Sequence, residues 1–147
     1  MARTQTKSDA SGPNKASITS REVLYSDFDL SFIKHPNTKD VTILKDIDAV
    51  KQSVKNLVLT AQGERPFQPL LGSDIRALLF EPVDDFTAFD IEEQVRVTIK
   101  NHEPRIKVLN IDVIADADNN RFRLSIDFQM ITNLDTGSVS FYLERIR

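Results

Sequence analysis

Pro104 separates two hydrophobic rhythms, and a fold that satisfies both must carry long helices before that residue and paired strands after it. Beyond it, Ile106 and Val108 alternate with polar neighbours, then Ile111 and Val113 resume in the opposite phase, with Leu109 at the switch. A one-residue slip exchanges the faces of a strand, so a β-bulge is predicted there. Phe122, Leu124, Ile126, Phe128 and Met130 alternate strictly, as do Val139, Phe141 and Leu143 after a turn over Asn133 to Gly137. Three such segments joined by short turns predict an antiparallel meander.

Before Pro104 the period is close to 3.6. Ile47, Val50, Val54, Leu57, Val58 and Ala61 form one helical stripe, with Asp46 as the expected N-cap and Gly63 as the expected stop. A second long helix carries Ala88, Ile91, Val95 and Ile99 behind Thr87 and Asp90 in capping-box spacing. Between them, Pro66 and Pro69 stiffen an extended connector. Ser73 is then placed to cap a short helix through Ile75, Leu78 and Leu79 that ends before Pro82. Upstream, Phe28, Leu30 and Phe32 alternate with polar residues, which reads as a half-buried strand; His35 to Asn37 turn, and Val41 and Ile43 begin a second short one. The expected fold class is α+β: an antiparallel or mixed sheet with two long helices and one short helix on one face.

The 147 residues suit one domain. Residues 1–22 hold almost nothing large and apolar and carry a charge of +2, so they read as a flexible amino-terminal arm ahead of a single domain over 23–147. Cysteine is absent, which removes disulfide scaffolds, thiolate metal sites and thiol nucleophiles. A formal charge of −3 gives no electrostatic support to nucleic-acid binding, and no apolar run approaches a membrane span, so a soluble protein made in a cytoplasm is expected.

Chemistry-bearing patterns are few. His35 and His102 lack further ligands at metal spacing, and no metal or cofactor is expected. Asp116, Asp118 and Asn120 imitate the start of a calcium loop, but Arg121 stands where that loop needs glycine, so a polar hairpin turn is the better account. Glycoside hydrolysis needs two carboxyls at set separation, one with a raised pKa. Glu64, Glu81, Asp85 and Glu103 all fall in exposed-looking loops or beside an arginine, so no catalytic residue is assigned. Glu81 to Glu93 holds six acids and no base, a solvated helix start or a face for a basic partner.

Glu103-Pro104-Arg105 is the strongest candidate. An extended chain through Pro104 would project Glu103 and Arg105 from one face, an acid and a planar guanidinium on a rigid corner suited to docking on a partner. Replacing Arg105 with Ala is expected to leave the fold intact but to block assembly with that partner; the alternative is an ordinary solvated pair at a helix end. Gly63-Glu64-Arg65 is open to two readings. Either it is a helix stop and turn, or Glu64 and Arg65 help set the connector against the Glu103 corner, with Phe67, Leu70 and Leu71 anchoring it to the core.

Taken together, Tyr25 to Phe32, the Val50-Val54-Leu57 helix, Gly63-Glu64-Arg65-Pro66-Phe67-Gln68-Pro69-Leu70-Leu71-Gly72 and Glu103-Pro104-Arg105-Ile106 resemble one family. It is that of the small baseplate wedge proteins of contractile-tailed phages, shared with the sheath-initiating baseplate subunit of type VI secretion systems, and the likeness spans about residues 23 to 146. The resemblance implies a non-enzymatic virion component, assembled in the host cytoplasm into the tail baseplate. Its partners would be other baseplate wedge proteins, met through Glu103, Pro104 and Arg105 with Glu64 and Arg65 beside them, and the tail sheath protein, met by strand pairing. Nucleic acid, membrane and small-molecule substrate are not expected. A tail lysozyme and a secretion-system subunit are the alternatives.

Overall fold

The computed structural model describes residues 23–37 and 39–144; the expected arm lies outside the described residues. The elements are β1 (Ser26–Phe28), β2 (Ile43–Lys45), α1 (Ile47–Leu59), α2 (Ile75–Leu78), α3 (Asp85–His102), β3 (Ile106–Asp116), a 3-10 turn (Ala117–Asn119), β4 (Arg121–Met130) and β5 (Thr136–Glu144). β3, β4 and β5 form an antiparallel sheet with β4 in the centre, and β1 pairs with β2 in a separate antiparallel ribbon. The period change at Pro104 therefore marks a real boundary, and the α+β class holds.

The core lies between β4 and the two long helices. Phe122, Leu124, Ile126, Phe128 and Met130 on one face of β4 are sealed against Val50, Val54 and Val58 of α1 and Ile91, Val95 and Ile99 of α3. Each such side chain contributes about 1.5–3 kcal/mol on burial, so this layer dominates the stability. The register of β3 on β4 shifts between Val108 and Asn110, which is the predicted bulge at Leu109. It lets Ile106 and Ile111, five residues apart, both face the core.

Several local expectations are corrected. β1 is only three residues long, and Phe28 and Phe32 are 63% and 69% exposed, because the Asp29 carboxylate accepts from the Ser31 N–H and the chain turns through Phe32 at φ 51°. Asp84, not Thr87, caps α3: its carboxylate accepts from the Thr87 N–H at 2.8 Å. Asp46 starts α1 without capping it, because its carboxylate is occupied by the Leu24 and Tyr25 N–H groups. Ser73 is buried and donates to the Val58 carbonyl, which leaves Asp74 at the start of α2.

Gly63 lies beyond the Thr60 end of α1, inside the connector, and donates to the Pro69 carbonyl. The connector closes on itself, with Phe67 98% exposed, so Phe67 and Leu70 do not anchor it to the core. Its far end is pinned at Gly72, where φ is +124° and a Cβ would lie 2.5 Å from the Thr60 carbonyl oxygen. Gly72→Ala is expected to lower the stability by roughly 1–3 kcal/mol, measured by urea unfolding; an unchanged midpoint would mean that the connector gives way without cost.

Candidate functional site

Helix α3 ends at Glu103, whose N–H still bonds the Ile99 carbonyl at 2.9 Å. Pro104 cannot continue that ladder, and the Ile106 N–H turns back to the Glu103 carbonyl at 3.5 Å. The Glu103 and Arg105 side chains thus meet across a turn and not along an extended segment. Arg105 Nε donates to Glu103 Oε1 and Nη2 to Oε2, both at 2.6 Å, a two-pronged pair. Ser53 of α1 completes it, its Oγ donating to Glu103 Oε2 at 2.9 Å and accepting from Arg105 Nη2 at 3.1 Å.

Glu103 is 4% exposed, so the pair is not a solvated one, and Arg105 is more than a replaceable surface cation. Burial alone would raise the Glu103 pKa, but the hydrogen bonds from Arg105 and Ser53 outweigh it and hold the carboxyl below its ordinary value. The hydrogen bond to Glu103 raises Arg105 against its own desolvation. The guanidinium also lies over the Tyr25 ring at 5.1 Å, and its own carbonyl accepts from the Ile131 N–H at 3.0 Å. The corner therefore ties α1, α3, the end of β4 and the amino-terminal segment together.

Arg105 is nonetheless one-third exposed. Nε and Nη2 are spent on Glu103 and Ser53, while Nη1 makes no hydrogen bond among the described residues. Its two N–H groups, on a fixed plane, have no acceptor among the described residues. A cleft of about 250 Å³ bordering Glu103 and Ser53 is lined also by Asp27, Asn56, Arg65 and His102. Arg65 thus borders the same cleft as Glu103, and its side chain makes no hydrogen bond or ion pair among the described residues, while its carbonyl accepts from the Gln68 N–H at 3.1 Å. Glu64 does not border that cleft: its carboxylate accepts from the Ala61 N–H at 2.9 Å and closes the connector. Pro104 is exposed.

Ser53 and Tyr25 were not found by sequence reasoning. Ser53 stands next to Val54 on the edge of the α1 stripe, and a serine there carries no signal of a partner fifty positions away. Asp116, the other strongly engaged carboxylate, accepts from Arg121 Nε and from Asn119 across the β3–β4 hairpin, which is the polar turn expected of that stretch. Among the described residues no group of three or more His, Cys, Asp or Glu could hold a metal ion, and no helix is long and apolar enough to cross a membrane.

The family model described as Baseplate wedge protein gp25 matches residues 45–134. Baseplate wedge protein gp25 of Enterobacteria phage T4 is 35% identical over 112 residues, covering 76% of this chain and 84% of that protein. Among solved structures, a candidate tail lysozyme from Geobacter sulfurreducens superposes with a TM-score of 0.61 at 22% identity, covering 67% of this chain and 89% of that one. A chain of the type VI secretion system baseplate complex gives 0.57 at 13% identity, with 67% and 92% covered. One from the anti-feeding prophage baseplate gives 0.55 at 18%, with 84% and 87% covered. At such identities the structural likenesses establish a shared fold.

Proposed function

Because this chain belongs to the gp25 family of baseplate wedge proteins, structural subunits of the contractile-tail baseplate, we propose that it docks on the wedge core through the outward edge of Arg105 and offers β5 as the strand on which the sheath begins. The observation that carries the docking role is the fixed guanidinium with Nη1 open, held by a buried acid on a turn whose proline faces solvent. Glu103 acts through Arg105, as the group that aims it. Arg65 and Pro104 widen the contact, and Glu64 shapes the loop that presents Arg65. The 35% identity to a phage protein favours a tail over a secretion machine. In this reading residues 23–147 are one wedge domain and 1–22 an arm in front of it.

Both β3 and β5 are edge strands of the three-stranded sheet. β3 is interrupted by its bulge and carries Lys107 and Asp112, devices that discourage strand addition. β5 keeps continuous register with β4 from Thr136 to Glu144 and has no charge before Glu144. It is the better template for an incoming sheath strand.

A structural role is also favoured over wall hydrolysis. The shifted carboxyls among the described residues, Asp29, Asp84, Glu103 and Asp116, are all displaced downward, whereas a general acid needs an upward displacement.

Arg105→Lys tests the docking role without orphaning Glu103, because an ammonium can still pair with the carboxylate but has no second outward-facing fork. The variant forfeits one prong of the pair and the fork's bond to Ser53, so it is expected to stay folded at a cost of about 1 kcal/mol and to bind the wedge core about 10–100-fold more weakly, read by copurification from tail-producing cells. Normal incorporation of the folded variant would refute the role given to Nη1.

A further inference from the structure

The carboxy-terminal half of α3 and the first turn of β3 enclose an open groove of about 520 Å³ that runs up to Pro104. Its floor is apolar: Ile99 lies at the bottom, and Ile131 on one wall is 58% exposed. Its rim is basic, with Arg96, Lys100 and Lys107. Lys100 and Lys107 form no ion pair among the described residues, and Arg96 has a single, partly buried partner, Glu92 at 2.6 Å. Glu103 also borders the groove, but its carboxylate is already taken by Arg105. A chain whose formal charge is −3 thus carries two cations without an acidic partner among the described residues, Lys100 and Lys107, and a third, Arg96, paired with Glu92, around an apolar floor.

We infer that this groove receives a segment of a neighbouring baseplate protein in which carboxylates flank one or two large apolar side chains. The inference rests on the docking reading, since the groove continues from Pro104 and extends that contact. Charge complementarity sets the sign of the flanks, and the floor calls for an anchor. Phosphate alone would satisfy the rim but leave Ile131 uncovered. Lys100 and Lys107 are on flexible stems over the floor, so they suit carboxylates arriving from either side of the anchor.

The experiment places p-benzoylphenylalanine at position 131, and separately at 107, in the full chain within assembled tails, irradiates them and identifies the joined peptide by mass spectrometry. The expected product is a peptide of a different tail protein with more acids than bases, obtained from either position. Its yield should fall at least about tenfold when Arg96, Lys100 and Lys107 are all changed to Glu in a chain that keeps its thermal midpoint. A neutral or basic peptide, a peptide of a second copy of this chain, or no product from tails that contain the chain would each overturn the inference. Arg105→Lys in parallel separates the two readings. If it assembles normally while the acidic peptide is still captured, the corner reading fails and the groove stands. If it is excluded from tails while the rim reversal assembles at the parental level, the corner stands and the groove fails.

Discussion

Arg105→Ala is expected to lower the folding free energy at pH 7 by about 2–4 kcal/mol, because it strands a buried carboxylate. Glu103 is 4% exposed and receives hydrogen bonds from Arg105 Nε and Nη2 and from Ser53. Removing the cation leaves one hydroxyl to hold a full charge. The range sits below that of a fully buried pair because Arg105 is one-third exposed, so water can partly replace it. Glu103→Gln in the Arg105→Ala background should recover much of the loss, since an amide at the same place carries no charge. Additive losses in that double variant, or an Arg105→Ala cost under about 0.5 kcal/mol, would mean that the pair behaves as an ordinary surface bridge.

The pH dependence gives the same test an independent reading. Glu103 in the parent is held below its ordinary value of 4.5, so its contribution is complete above about pH 4.5 and is lost as the pH falls through the lower, folded pKa. In Arg105→Ala the sign reverses: burial without the cation raises the folded pKa above the unfolded one, and protonation then relieves the variant. The difference in stability between parent and variant is therefore expected to be widest near neutrality, to narrow as the pH falls through the raised pKa of the variant, and to close only below the lowered pKa of the parent. A gap independent of pH would assign the loss to packing against Tyr25.

What the sequence made legible was whatever repeats locally. The β4 stripe from Phe122 to Met130, the α1 and α3 stripes and the phase slip at Leu109 are each carried by neighbours within a few residues, and burial against one core reads them out directly. The alternation of Phe28, Leu30 and Phe32 misled because it has the right period but no layer to cover it; the segment bends at Asp29 and leaves those side chains in solvent. The caps went wrong by competition. Asp84 lies closer to the first free N–H groups than Thr87 does, and Asp46 is drawn off by the amino-terminal segment. At the corner, the types and spacing of Glu103, Pro104 and Arg105 pointed to the place. Whether they faced solvent or each other was decided by Ser53 and Tyr25, from elements far away in the chain.

The largest effect on function is expected from one proline in β5. The Met130 N–H bonds the Asp135 carbonyl at 2.8 Å, which sets the phase of the β4–β5 ladder. Alternation along an antiparallel pair then turns the main-chain groups of Gly137, Val139, Phe141 and Leu143 toward β4, and those of Ser138, Ser140 and Tyr142 away from it. Ser140 is exposed and its N–H belongs to the free edge, so Ser140→Pro removes a donor from that edge while leaving the ladder to β4 whole. The cost to folding should stay near 1 kcal/mol, the strain of a fixed φ in an edge strand. Val139→Pro is the matched control: it deletes a bond to β4 and is expected to cost about 3 kcal/mol or more. If β5 is the template for the sheath, Ser140→Pro will enter the baseplate, because the Glu103–Arg105 corner is untouched, yet baseplates that carry it will bear no sheath by electron microscopy. Sheathed tails of normal length from the folded variant would move the nucleating edge to β3 or away from this chain. Exclusion of the variant from the baseplate would show instead that β5 contacts the wedge itself.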